Sequence, residues 1–99
     1  MNTVILIHSK HTLDFGDFQT YLEIPNLVLD FISEMPESIH WYFHREGQST
    51  TLFAINYHLQ GTYEVSVDNL ASYDDLRFFP YLVDSLAKFL QGRLDLENI

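Results

Sequence analysis

Two isolated glycines, Gly47 and Gly61, separate runs of alternating residues, and they constrain the fold more than any other feature of the chain. The runs cover 39–45, 50–59 and 62–69, flanking Gly47-Gln48 and Gln60-Gly61. Glycine permits the positive φ that tight hairpin turns require. The stretch 38–69 therefore reads as a three-strand antiparallel meander. Two-residue turns at both places fix its register. Ile39, Trp41, Phe43, Leu52, Ala54, Tyr63, Val65 and Val67 then share one face, with Trp41 opposite Ala54. His40, Tyr42, His44, Phe53, Ile55, Tyr57 and Leu59 share the other, with Glu64, Ser66 and Asp68. Asn56 and His58 fall on the Trp41 face, as hydrogen-bonded polar groups at the edge of the core. An antiparallel sheet needs only one apolar face, so the second predicts cover by the chain itself or by a partner.

Residues 3–8 (TVILIH) are apolar at both parities, the pattern of a strand buried on both faces. Over 14–23, Phe15, Phe18, Tyr21 and Leu22 have helical spacing while Gly16 opposes it, so a short helix and a loop both fit. Over 25–35 the spacing predicts a helix. Pro25 suits a first helical position, Ile24, Leu27, Val28, Phe31, Ile32 and Met35 recur at helical intervals, and Pro36 ends the run. Ser72, three residues before Asp75, is a helix-start signal. Pro80 is expected to open the main segment of a second helix after a short first turn. Phe79, Leu82, Val83, Leu86, Phe89 and Leu90 form its apolar stripe and Gly92 stops it. The tail 93–99 fits a frayed end or a short added strand. The order β-α-β-β-β-α predicts a single α+β domain over 1–99, a sandwich of two helices on a mostly antiparallel sheet. The face that each helix covers is not encoded in any local pattern.

Charge is the second constraint. Fourteen acids against five Lys and Arg give a net charge of −9 at pH 7, and the excess is localised. Between His11 and His44 stand Asp14, Asp17, Glu23, Asp30, Glu34 and Glu37, with no Lys or Arg. Glu64, Asp68, Asp74 and Asp75 form a second acidic run. Such a field repels nucleic acid and anionic membrane and draws basic proteins inward. No apolar run approaches the roughly 20 residues that span a bilayer, and the start of the chain lacks a basic leader region. Cysteine is absent, so no disulfide forms and no thiol serves as nucleophile or ligand. These features suit the cytoplasm.

No residue is assigned to catalysis, to a metal or to a cofactor. His40 and His44 are four apart, which on a strand spans about 13 Å, whereas the ligands of one zinc each lie about 2 Å from the metal. Ser66, His40 and Asp68 have the identities of a hydrolytic triad. Two strand spacings separate that serine and histidine by about 9–10 Å, beyond hydrogen-bond reach. The glycines are isolated, and neither a dinucleotide fingerprint nor a phosphate loop occurs.

The expected function is that of a small acidic protein that binds and masks a basic protein partner. His40, Tyr42, His44, Phe53 and Tyr57 are the expected anchors, and Glu64, Asp68, Asp14 and Asp17 the expected charged contacts. Immunity proteins that neutralise a nuclease toxin share this physical profile, an analogy of composition alone. Two other classes fit the same features. One is an acidic secretion-type chaperone that acts as a homodimer and holds an extended segment at a sheet edge. The other is a small enzyme or ligand-binding domain whose site forms between protomers.

Overall fold

The computed structural model describes residues 2–22, 27–47 and 51–95. The elements are β1 (Asn2–His8), α1 (Phe15–Tyr21), β2 (Leu27–Met35), β3 (Ser38–Arg45), β4 (Phe53–His58), β5 (Thr62–Asp68), α2 (Tyr73–Leu90) and β6 (Arg93–Asp95). The strands form one antiparallel sheet in the order β2-β3-β4-β5-β1-β6. The α+β class, the meander and a sheet packed by two helices agree with the sequence; the first helix is the 14–23 stretch that fitted a helix or a loop, and the sheet gains β2. The short tail strand is present as β6, and residues 96–99 lie outside the described part.

Both helices cover the same face. Phe15 of α1 meets Phe43 with ring centroids 5.1 Å apart, and Phe78 of α2 meets Phe53 at 5.7 Å. Phe43 and Phe53 are themselves paired neighbours on β3 and β4. One cluster of buried side chains runs through Ile7, Phe18, Phe43, Ile55, Tyr63, Val65, Leu82 and Leu86. Truncating a large aromatic there costs about 3–5 kcal/mol. The opposite face of the sheet carries no helix among the described residues, so Val4 and Leu6 of β1 are only half-buried there. The expected burial of this strand on both sides is not met.

The register of the meander differs from expectation by one residue at each turn. Trp41 is buried, but it pairs with Ile55 rather than Ala54. Between β4 and β5 the turn has three residues, Leu59, Gln60 and Gly61, with Gly61 at φ +92°. Three-residue hairpins place a left-handed glycine there and add a bulge. A slip of one residue moves every side chain of a strand to the other face. The first slip inverts β4, and the second returns β5 to its expected face two residues along, so that Val65 rather than Val67 stands in the Trp41 row. Tyr63, Val65 and Val67 therefore stay on the Trp41 face, while β4 alone is inverted. Phe53, Ile55 and Tyr57 point into the core, and Ala54, Asn56 and His58 point outward. Asn56, expected on the core face with a partner, lies on the open face with its Oδ1 buried and unpartnered among the described residues.

The expected helix over 25–35 is a strand. Ile24 and Pro25 lie outside the described residues, and 27–35 pairs with β3 along its length. The cause of the misreading is a β-bulge at Asp30, where the register shifts between Leu29 and Phe31. Before the bulge Leu27 and Leu29 face the helices; after it Ile32 and Glu34 do, by their pairing with Trp41 and Ile39. An extra residue in one strand changes the parity. The apolar positions of the two faces then interleave at the spacing of a helical stripe.

α2 begins as the sequence predicts, Ser72 Oγ accepting the Asp75 backbone N–H at 3.2 Å. It then runs unbroken through Pro80, which the sequence had suggested would open its main segment. The left-handed cap is Gln91 at φ 53°, and Gly92 follows it for a different reason. A Cβ at Gly92 would stand 2.7 Å from Ile7 Cγ2 and 2.8 Å from the His8 carbonyl oxygen. Only glycine lets the chain leave α2 and enter β6 this close to β1.

Candidate functional site

The strand order makes β2 an outer edge of the sheet, and the acidic segment of the chain builds that edge. Asp14 caps α1, its Oδ1 accepting the Asp17 backbone N–H at 3.1 Å. Asp17 adds a second carboxylate to the first turn, where the helix dipole favours it. Phe15 and Phe18 are buried and fix α1 against the sheet. Gln19 reaches sideways, its Nε2 donating to the Leu27 carbonyl at 2.7 Å. α1 thus lies beside β2 without closing on it.

Between them runs a groove of about 420 Å³. Leu29, Ile32, Ile39 and Trp41 form its apolar side, α1 with Leu13 its opposite wall, and Asp14 and Glu34 supply carboxylates. No Lys or Arg lines it among the described residues. On the other side of the same strand, Val28, Phe31 and Met35 are exposed, Phe31 to 56% and Met35 to 55%. Phe31 stacks on Tyr42 of β3 with centroids 4.5 Å apart and planes 22° from parallel. The edge therefore offers a wet apolar strip on the open face and an acidic groove on the helix face.

Asp30 stabilises the bulge that divides β2. Its Oδ2 lies 2.9 Å from His44 Nδ1 and also accepts the Thr51 hydroxyl. Desolvation pushes the carboxyl up, but the hydrogen bonds from His44 and Thr51, with the His44 charge, outweigh it and hold Asp30 below the ordinary carboxylate value. Beyond the bulge, residues 31–35 form an uninterrupted run that, among the described residues, is paired with β3 on one side only.

The nine expected contact residues do not form one surface. His40, Tyr42 and His44 lie side by side on the open face of β3, with His40 Nδ1 3.2 Å from Tyr42 Oη and His40 Nε2 3.1 Å from Ser38 Oγ. Glu64 and Asp68 share that face on β5, two strands away, Glu64 Oε1 standing 3.2 Å from His58 Nε2. Phe53 is 1% exposed and Tyr57 9%, both in the core, so neither anchors a partner. Asp14 and Asp17 belong to the helix side. The residues that the sequence reading missed are those of β2: Phe31, Ile32, Glu34 and Met35. Nothing in their spacing separates an edge strand with a bulge from an amphipathic helix.

Toward the far edge of the sheet one cleft is lined by cations instead. A cleft of about 590 Å³ is lined by Lys10, His11, Gln60, Gly61, Gln91 and Arg93, among others, with no carboxylate among the described residues. Two of the chain's five Lys and Arg thus meet there. Among the described residues no group of three His, Asp or Glu converges as metal ligands would, and no helix is long and apolar enough to cross a membrane. Comparison with known protein families, with curated proteins and with solved structures finds no match.

Proposed function

We propose that this protein binds a second protein with a basic surface and masks that surface, the kind of work an immunity protein does on a nuclease toxin. One observation carries the reading: the chain between His11 and His44, which holds no Lys or Arg, folds into α1, β2 and most of β3, one side of the molecule. Five of its acids, Asp14, Asp17, Asp30, Glu34 and Glu37, lie among the described residues, beside exposed Phe31, Ile32 and Met35. Carboxylates at the rim steer a cationic partner and reject an anionic one, while apolar and aromatic side chains supply the desolvated contact. The anchoring role moves from β4 to β2.

The test is affinity capture from lysate of the source cells, read at low and high salt. One basic protein should be retained at equal stoichiometry, and it should be released by salt because the steering field is screened. A variant with Asp14→Asn, Asp17→Asn, Glu34→Gln and Glu37→Gln should retain none of it. Retention of an acidic partner, or of one indifferent to both salt and these substitutions, would overturn the reading.

A further inference from the structure

We infer that the partner docks as an added β-strand along residues 31–35 of β2, through an extended segment that alternates cationic and apolar side chains. The inference rests on the proposed basic partner and specifies its form. Three features of the edge converge on it. First, among the described residues β2 pairs with β3 on one side alone, so the outward-facing backbone N–H and C=O groups of 31–35 have no strand partner there. Such an edge templates another strand unless it is blunted. Here blunting is partial: Gln19 occupies the Leu27 carbonyl and the Asp30 bulge breaks the ladder, leaving the run after it regular.

Second, the two sides of that run differ in chemistry. Strand side chains alternate between faces, so an added strand sends every second side chain toward the helix side, beside Ile32 and Glu34. There the groove provides Leu29, Ile39 and Trp41 for an aliphatic stem and Asp14 and Glu34 for its charged head. Lys and Arg have that shape, an apolar stem with a cationic end. The intervening side chains meet Phe31 and Met35 on the open face, where an apolar residue buries them.

Third, charge favours a cationic segment here over the β2 edge of a second copy of this chain. The described acids at or beside the edge, Asp14, Asp30, Glu34 and Glu37, have no Lys or Arg within α1, β2 or the turn at 36–37, and Arg45, paired with Leu27 at the other end of β3, is engaged with Asp75. Two such edges brought together would place like charges side by side.

The probe is a blocked nine-residue peptide alternating lysine and valine, added to the full-length protein and followed by backbone amide shifts, amide exchange and Trp41 fluorescence. The expected result is perturbation and slowed exchange within 31–35, with a change in Trp41 emission, since Trp41 borders the groove. Asp14→Asn keeps a side-chain oxygen able to cap α1, so combining it with Glu34→Gln removes charge while retaining the cap. This double variant should bind about tenfold or more weakly, in line with the loss of a charge-assisted contact. A peptide methylated at alternate backbone nitrogens should lose binding because it cannot pair. If the methylated peptide binds equally well, strand addition is wrong. Perturbation centred on Tyr42 and Ala54 instead of 31–35 would overturn the docking mode yet leave a basic partner standing. Equal binding of a glutamate-valine peptide would sink both. Concentration-dependent protection of 31–35 without peptide would identify a second copy as the occupant and overturn the inference, as would the absence of any binding.

Discussion

Arg45, at the end of β3, donates from Nε to the carboxylate of Asp75 in the first turn of α2, and that carboxylate is only 1% exposed. The guanidinium also lies 5.5 Å from the centroid of the Phe78 ring, and Ser72 Oγ donates to the other carboxylate oxygen at 3.1 Å. A single residue of the sheet thereby fixes where the long helix starts. Replacing Arg45 by Met strands a buried carboxylate and should cost about 3–5 kcal/mol. Adding Asp75→Asn to that variant removes the stranded charge, so the double variant should be more stable than Arg45→Met alone. Urea denaturation of the three proteins checks the order.

Tyr63 governs the response to alkali. It is fully buried, accepts the Leu13 backbone N–H at 2.9 Å and donates to the His11 carbonyl at 2.6 Å, pinning the segment before α1. Burial pushes its hydroxyl up to about 12 from an ordinary 10.0, against the opposing Leu13 bond. A raised folded value favours the protonated form. The stability it confers is intact below pH 10 and is lost as pH rises toward about 12. Tyr63→Phe should cost about 1–3 kcal/mol at neutral pH by leaving two backbone groups unpaired, and should flatten the stability curve over that alkaline window. A denaturation series against pH measures both.

Asp30 governs the response to acid. Its carboxyl is held low in the folded state, so its contribution is present above the ordinary value of 3.8 and fades as pH falls through and below it. Asp30→Ala should remove that acid-dependent loss and cost about 1 kcal/mol near neutrality, the usual worth of such a hydrogen bond. Acid titration of the wild type and variant, followed by circular dichroism, gives the comparison.

Gly92→Ala should detach the final strand. The new methyl meets Ile7 and the His8 carbonyl, one of them backbone that cannot yield cheaply. A cost of about 1–3 kcal/mol follows from overpacking. Amide exchange at 93–95 should accelerate more than exchange in β4 or β5. Equal acceleration everywhere would assign the effect to global unfolding rather than to β6.

Local chemistry made much of this fold legible. The meander, the Ser72 cap and the apolar stripe of α2 each follow from patterns within a few residues, and each is present. Features that depend on one extra residue were not legible. A one-residue slip in the β3–β4 pairing inverts β4, the third residue of the Leu59–Gly61 turn undoes this for β5, and the Asp30 bulge makes β2 imitate a helix; in each case composition and spacing hardly change while parity does. Strand order is non-local too, which is why the acidic segment could be seen in the sequence but not its position at an outer edge. Phe53 and Tyr57 were misplaced by the first of these effects. Phe31 and Glu34 were missed through the last.

The cleft at Lys10 and Arg93 gains its meaning from its distance from Glu34 across the width of the sheet. Acids gather at the β2 margin, whereas Lys10 and Arg93 share the other with Asp95 of β6, so charge is uneven across the sheet as well as negative overall. A uniformly charged body would be pulled toward a cationic partner in any orientation. A body with uneven charge also experiences a torque, which would turn the β2 margin toward a cationic body and the Lys10 margin away before contact. Orientation, which normally limits how often encounters succeed, would thus be partly settled during such an approach.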